Sequence, residues 1–435
     1  MFKHVLSALA VTLFPFSSAY GGSDFDGVWD ATVFFPGGRS AGVVRLETEG
    51  GVVSGTSEPL DENQFFPLSL SGDLDGDKAE LVLSFRDDVV GRLSVKGAEQ
   101  GFEGAGTLYG VPVSIVALAS DRALRAPMGH DFNPQTYELQ FESRSQAVLT
   151  LVPGDRVRTT LLDNEGQDDA LDWKAMPGNT LTGPFFIENA MPGDMLVVKL
   201  HKVRLNRDTA KMYSRALNQA ALQPGYEQTP AENWGRTWTF SEDRSEARIE
   251  ATGSAIEGLT LPTRPMIGSI GVAPPLNTSL YAGDLWIHGG NIDYQRITEG
   301  TTLYIPVYRG GAYLSMGDGH ALQGDGEISG QGLETSLDVE FEVDLIQGEN
   351  LGQLWSEDSD YVMVHGIDRT LDAALQAATT GMSKWLRQTY ELNDSEIAAL
   401  LSSSIEYDIA VIVNSRPHIV AKLSKEVLRQ ISQKR

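Results

Sequence analysis

The sequence predicts a mainly β, α+β protein: an N-terminal antiparallel β barrel or sandwich, then a second β-rich domain ending in helices. Three observations carry this expectation. Eight short runs rich in β-branched and aromatic residues fall between positions 28 and 119, each bounded by turn residues. Runs of the same kind recur from 148 to 345. A 3.6-residue apolar period appears mainly after position 370. With 45 Gly and 19 Pro, many turns and many short strands are expected. An apolar fraction of 41% against 21% charged supplies core for more than one domain and excludes a disordered chain.

Taken in chain order, Lys3 and His4 precede an apolar run over 5–16, and Ser17-Ser18-Ala19 follow as small residues. This is the three-part pattern of a secretory signal over 1–19, cleaved after Ala19. The run is too short for the ~20 residues that span a bilayer. An exported protein, periplasmic or extracellular and without membrane insertion, is expected. An all-β accessory domain is expected over 24–120, with strands at 28–35, 41–48, 52–57, 64–71, 79–85, 90–95, 102–109 and 112–119. The run Asp73-Leu74-Asp75-Gly76-Asp77 has the acids of a calcium loop. Its glycine is misplaced, and Ser84 stands where a bidentate acid belongs. A hairpin turn is the better reading.

Residues 121–134, with Pro127, Gly129 and Pro134, read as a linker opening the second domain, 121–435. Its strands are expected at 148–152, 156–162, 185–188, 195–203, 303–307 and 337–345. Pro153-Gly154-Asp155 and Pro192-Gly193-Asp194 are one turn used twice. A helix fits 208–222. Leu371, Ala374, Leu375, Ala378, Met382, Trp385 and Leu386 mark another, capped by Thr370 or Asp368. Asp394 or Ser395 caps a helix over 396–401, and Ser424 caps a last one.

Composition narrows the chemistry. A net charge of −25 repels phosphate backbones and anionic lipids, so nucleic acid is excluded as a partner. With no Cys there is no disulfide, thiolate metal site or cysteine nucleophile. No Ser stands three residues before a Lys, and no His pair has zincin spacing. What remains is the block Gly317-Asp318-Gly319-His320-Ala321-Leu322-Gln323-Gly324-Asp325-Gly326-Glu327, followed by Glu334. Acids and an imidazole on a glycine-rich loop can converge on a metal or a hydrolytic water. Gly289-Gly290-Asn291-Ile292-Asp293 offers another glycine-borne acid, preceded by His288. The plain alternative is two solvated turns. His130 in the linker, and His201 and His418 on strands, read as structural.

These blocks carry a resemblance. Residues 289–345, through Thr301-Thr302-Leu303-Tyr304-Ile305-Pro306-Val307, the Gly317–Glu327 block and Leu333-Glu334-Thr335, resemble the acetamidase/formamidase family. So do the two Pro-Gly-Asp turns, Thr182-Gly183-Pro184-Phe185-Phe186-Ile187-Glu188, Arg264-Pro265-Met266-Ile267-Gly268 and Gly271-Val272-Ala273-Pro274. The resemblance covers about 130–425 and leaves 24–120 outside. It departs twice from the family pattern. Asn179-Thr180-Leu181 stand where small-amide members carry His-Pro, and Tyr137-Glu138-Leu139 where they carry a His.

The resemblance implies an acetamidase/formamidase-like domain over 121–435, hydrolysis of a small-molecule amide to carboxylate and ammonia, a homo-oligomer and a divalent metal ion. Zinc is the first expectation and calcium the second. An amide carbonyl is a poor electrophile, so water must be activated. His320, Asp293 and Asp318 are the expected metal ligands. Glu327 or Glu334 is the expected general base, then acid to the leaving amine. Asn291 and loop amides are expected to hold the carbonyl oxygen. Two other readings stay open at this stage: a non-catalytic exported binding protein on the same fold, and a carboxylate-pair hydrolase acting on carbohydrate through Asp318 and Glu327, with Tyr304, Tyr308 and Tyr313 as platforms.

Overall fold

Buried side chains recur at about every second position along the first eight strands, which close on themselves. A computed structural model describes residues 25–432 apart from 37, 60–67, 87, 99–100, 120–124, 143–145, 232–233, 235–236, 276–277 and 349–350. The expected export signal and positions 64–67 of the fourth expected strand lie outside the described residues. The chain divides into two compact units, Met1–Ala123 and Leu124–Arg435.

In the first unit the strands Gly27–Phe35, Gly38–Glu49, Val52–Pro59, Leu68–Asp75, Lys78–Phe85, Asp88–Ala98, Gly101–Leu108 and Val111–Ala119 form a closed antiparallel barrel. The last strand returns to the first, with Trp29 opposite Ala119. Val113, Ile115 and Ala117 point inward from the last strand while Ser114 is exposed. Barrel closure removes the unpaired edges of an open sheet. The centre is filled rather than hollow: Trp29, Leu46, Leu81 and Phe102 are buried together, and the Trp29 and Phe102 rings meet edge-on at 5.4 Å. Asp75 pairs with Lys78 across a turn in which Gly76 has φ 63°. Asp73–Asp77 is therefore the end of a hairpin.

Beside a four-stranded and a two-stranded sheet, two large sheets carry the second unit. One runs in the order Leu149–Leu151, Leu181–Ile187, Leu314–His320, Met266–Gly271, Gly289–Asn291, Leu285–Trp286. The larger one is centred on Met195–Leu205 between Thr302–Pro306 and Leu337–Ile346. Phe185, Ile267, Leu314 and Met316 of the first sheet share a core with Val198, Leu303, Leu337 and Phe341 of the second. Phe185 meets Phe341 edge-on at 5.4 Å. Both Pro-Gly-Asp turns have the same internal wiring. The aspartate side chain accepts the backbone N–H three residues earlier, Val152 to Asp155 and Met191 to Asp194, each at 2.9 Å. Gly154 and Gly193 take φ of 89° and 96°, which a side chain resists.

The helix Leu371–Tyr390 buries Ala374, Ala378, Met382, Trp385 and Leu386 against Val364, Ile419 and Ala421 of the larger sheet. Thr370 caps it, accepting from the Ala373 N–H. Leu371 and Leu375, counted in the apolar stripe, are exposed. The next helix, Asp394–Ser404, is capped by Asn393 rather than Asp394 or Ser395, because Asn393 forms a reciprocal capping box with Glu396. The helix expected over 208–222 is absent. Thr209–Lys211 is a strand, and Gln219–Ala221 is a single 3-10 turn. Lys211 exchanges both backbone hydrogen bonds with Glu334, a long-range pairing that overrides local helix propensity. Within the expected linker, Gly129–Asp131 is a strand parallel to Arg156–Leu161, and His130 Nε2 lies 3.0 Å from Asp155 Oδ2.

Three imidazoles are fully buried without an acid partner among the described residues. His418 Nδ1 donates to the Ile292 carbonyl at 2.7 Å. A neutral His418 must then accept at Nε2 from His365 Nδ1, 3.0 Å away, and His365 Nε2 accepts from the Ser356 hydroxyl at 2.7 Å. One carbonyl thereby fixes the tautomer of both rings. His288 packs edge-on to Phe141 at 5.1 Å, with neither nitrogen hydrogen-bonded. Burial pushes its pKa down to about 3, and nearby Arg416 adds to this. The unfolded chain takes up a proton near pH 6.5 and the native imidazole does not until about 3, so this residue destabilises the fold progressively as pH falls through that window. His288→Leu is expected to gain on the wild type by about 1.4 kcal/mol per pH unit between roughly pH 6 and 4. Chemical denaturation at a series of pH values checks it; a pH-independent difference would show that the ring is not held neutral.

Candidate functional site

Asp318 and His320 lie on the strand Leu314–His320, every residue of which is buried. They were expected on a loop. The strand is held on both sides, Met266 facing His320 and Leu181 facing Gly317. Asp293 follows the strand Gly289–Asn291, and its N–H donates to the Gly268 carbonyl. Gly268 makes the closeness of the two acids feasible: a Cβ there would lie 2.7 Å from Asp318 Oδ2 and 2.8 Å from Asp293 Oδ1. Glu327 sits in a turn, and Glu334 is fixed by its backbone exchange with Lys211. Asn179, Asp293, Asp318 and Glu327 all have positive φ, 56°, 38°, 59° and 47°. Such conformations are unfavourable for residues with a side chain and persist where the surroundings enforce them, often at functional sites.

The acids are held by one oxygen and left open at the other. Asp318 Oδ2 accepts from Asn179 Nδ2 at 2.8 Å. Asp293 Oδ2 accepts from Asn414 Nδ2 at 2.7 Å and from Asn291 Nδ2. Ser269 Oγ and Asn179 Nδ2 both donate to Asn291 Oδ1, which fixes the way the Asn291 amide faces. Glu334 Oε1 accepts the Gly332 N–H. The opposite oxygens, Asp293 Oδ1, Asp318 Oδ1 and Glu334 Oε2, are buried and receive no hydrogen bond. His320 Nε2 lies 3.4 Å from Asp318 Oδ1 and 3.2 Å from Glu334 Oε2. Gln323 donates from Nε2 to the Asp293 carbonyl, so its Oε1 faces His320 Nδ1 at 2.9 Å. That bond places a proton on Nδ1 and turns Nε2 toward the carboxylates.

Asp293, Asp318 and His320 each present a donor atom within 4.8 Å of the others, as do His320, Glu327 and Glu334. A mixed set of buried carboxylates and one imidazole, with orphaned oxygens, fits a divalent cation. Without one, charge is crowded. Burial pushes Asp293 up to about 7, and Asp318 adds to it. Burial likewise lifts Glu334 to about 7 against the pull of His320. Glu327 is raised well above the usual carboxylate range, by burial first and Asp293 second. Burial alone would lower His320, but Glu334 and Asp318 outweigh it and raise it. The group opens on a polar cavity of about 170 Å³, walled in part by Asn164, Asn179, Asp318, His320, Glu327 and Glu334. That is ample for water, which needs roughly 10–15 Å³, and far below the ~300 Å³ of drug-sized pockets.

All six residues named from sequence, Asn291, Asp293, Asp318, His320, Glu327 and Glu334, converge here. Asn291 lines the cavity, and its Nδ2 donates one hydrogen bond to Asp293, so it also orients that acid. Asp325, in the same sequence block, is exposed and accepts from Gln295. His288 lies apart, against Phe141. Sequence reading missed Asn164, Ser269 and Asn414 altogether, and gave Gln323 no role. Asn179 was marked only as a departure from a family pattern.

The acetamidase/formamidase family model matches residues 141–279 and 286–427. The chain belongs to the acetamidase/formamidase family. It is 24% identical over 271 residues to a formamidase of Methylophilus methylotrophus, covering 50% of this chain and 67% of that protein. It is 24% identical over 263 residues to an acetamidase of Mycolicibacterium smegmatis, covering 46% and 64%. The chain thus spans about two thirds of the length of these relatives. Among solved structures, a predicted acetamidase/formamidase of Thermoanaerobacter tengcongensis superposes with TM-score 0.60 at 27% identity, over 71% of this chain and 99% of that one. An acetamidase of Bacillus halodurans gives 0.59 at 27% identity, over 69% and 99%. The acetamidase/formamidase match begins after the barrel and contains every site residue from Asn164 to Asn414. Where small-amide members of the family carry a His, this acetamidase/formamidase chain places Asn179 on the cavity wall, bonded to Asp318. At the second departure, Glu138 pairs with the Leu181 backbone.

If the open carboxylate oxygens hold a cation, the amides behind them set its affinity. Asn414→Ala removes one of two donors from Asp293 Oδ2. Zinc binding to the metal-stripped protein, followed by calorimetry, is expected to weaken about 10–100-fold with the fold unchanged. Unaltered affinity would show that Asp293 is not among the ligands.

Proposed function

We propose that the chain is an exported amidase that hydrolyses short primary carboxamides to carboxylate and ammonia, working as a homo-oligomer. One observation carries the catalytic part: buried carboxylate oxygens of Asp293, Asp318 and Glu334 receive no hydrogen bond, and those of Asp318 and Glu334 lie 3.4 and 3.2 Å from His320 Nε2. Family membership and the small cavity support a short amide as substrate. The basic, apolar and small-residue sequence of 3–19 supports export.

Asp293 Oδ1, Asp318 Oδ1 and His320 Nε2 would hold a divalent ion, with Glu334 Oε2 beside the same nitrogen and Gln323 behind the ring at Nδ1. A nitrogen donor among carboxylates suits zinc better than calcium, which favours six to eight oxygens. When bound, such an ion polarises the amide carbonyl and makes water more acidic. The chain's own residues do the rest. Glu327 lines the cavity, and burial with nearby Asp293 raises its pKa well above the usual carboxylate range, the direction that strengthens a carboxylate as proton acceptor. It takes a proton from the attacking water as the C–O bond forms. It returns the proton to nitrogen as the C–N bond breaks, so that ammonia leaves. Asn179, Asn291 and Asn414 hold the two aspartates still while charge moves.

The carbohydrate reading loses its platforms. Tyr304 stacks on Trp355 at 3.6 Å, Tyr308 donates to the Ile287 carbonyl, and Tyr313 packs edge-on to Phe186; none lines the cavity.

Ammonia release from formamide, acetamide and propionamide, with metal content measured on the same preparation, tests the proposal. His320→Ala is expected to lose metal and turnover together, by at least ~10–100-fold. Glu327→Gln is expected to keep its metal and lose roughly 10²-fold or more in kcat. Wild-type protein that holds zinc yet releases no ammonia from any of the three amides would favour a binding protein on this fold. For export, N-terminal sequencing of secreted material is expected to begin at Tyr20; an intact Met1 would contradict it.

A further inference from the structure

The cavity contains one amide side chain that the chemistry above leaves idle. Asn164 lines it, and Asn164 Oδ1 is buried without a hydrogen bond. The residue is not loose. Asp163 just before it accepts the N–H groups of Glu165 and Gln167 through Oδ1 and pairs with Arg207 through Oδ2 at 2.7 Å. Arg207 in turn donates to the Glu334 carbonyl. The Asn164 carbonyl accepts the N–H groups of Gly178 and Asn179, closing the loop that delivers Asn179 to Asp318. A frame tied at both ends thus holds an unpartnered acceptor on a residue of the cavity wall. Buried polar groups left unpaired destabilise a fold, and one held rigidly in a cavity wants a ligand donor.

We propose that Asn164 reads the substrate's carboxamide, its Oδ1 accepting an N–H of the substrate nitrogen; this rests on the amidase reading. The other amides on the wall are engaged: Asn179, Asn291 and Asn414 donate to Asp318 or Asp293. Asn291 Oδ1 already accepts from Ser269 and Asn179, whereas Asn164 Oδ1 is buried with no donor among the described residues. A neutral acceptor recognises an NH2 group without adding charge to a cavity already walled by Asp318, Glu327 and Glu334. It also has no charge with which to retain ammonium once the C–N bond is broken. The selectivity that follows is for primary amides over esters of the same acyl group, which offer no N–H.

Equilibrium binding of acetamide and of methyl acetate to the zinc-loaded wild type and to Asn164→Ala, with melting temperatures, tests this apart from turnover. The wild type is expected to prefer acetamide. Asn164→Ala is expected to bind acetamide about 10-fold more weakly and methyl acetate equally well, with a melting temperature unchanged or raised, because an unpaired acceptor is removed. An unchanged preference overturns the proposal, as does a wild type that binds no acetamide. So does a variant that loses both ligands and melting temperature together, since that is a structural role. Acetamide binding that depends on Asn164, without ammonia release, would retain this assignment and refute the amidase reading.

Discussion

Four buried carboxylates gathered round one imidazole set the terms for the second unit. Ionised together, Asp293, Asp318, Glu327 and Glu334 would carry far more negative charge than His320 can balance in a low-dielectric space. The raised pKa values of Asp293, Glu327 and Glu334 are one resolution, in which protons enter. A divalent cation is the other, and the orphaned oxygens face inward as if for it. The rest of the site is arranged so that neither resolution disturbs the walls. Each aspartate is anchored through its second oxygen by asparagine amides, which donate hydrogen bonds without contributing a charge.

Such a cluster needs a stiff frame. The acids come from one fully buried strand, the end of a neighbouring strand, a turn and a bridge to Lys211. Four of the residues sit at positive φ, a conformation that the sheet on either side must enforce. Behind Asp293 the peptide of Ile292 is pinned by His418, which is itself oriented by His365 and Ser356. Behind Glu334 stands Arg207, buried and paired with Asp163. Positional precision at the cavity is thus transmitted from hydrogen bonds one layer deeper, where water cannot compete for them.

The barrel is organised by different physics. Its stability rests on an apolar centre around Trp29 and Phe102 and on closure of the hydrogen-bond ladder. The paired acids and imidazole of the second unit have no counterpart in that centre. It folds by alternation and turns alone, the kind of information a sequence displays most openly.

That difference decides what could be read in advance. The eight barrel strands, the strand at 195–203 and the helix after Thr370 were legible because side-chain alternation, helical period and turn residues are properties of neighbours a few positions apart. The glycine–acid–His block was legible for the same reason: Asp318, His320 and Glu327 stand close in sequence. What the sequence could not decide was everything set by distant partners. It suggested a loop for 317–320, where pairing with Met266–Gly271 and Leu181–Ile187 makes a buried strand. It suggested a helix over 208–222, where pairing with Glu334 makes Lys211 a strand residue. Asn179 reaches Asp318 across 139 positions, and Asn414 reaches Asp293 across 121. No local pattern encodes such pairs. They exist only once two sheets have packed, because it is packing that removes water and leaves each buried polar atom to find a partner within the protein.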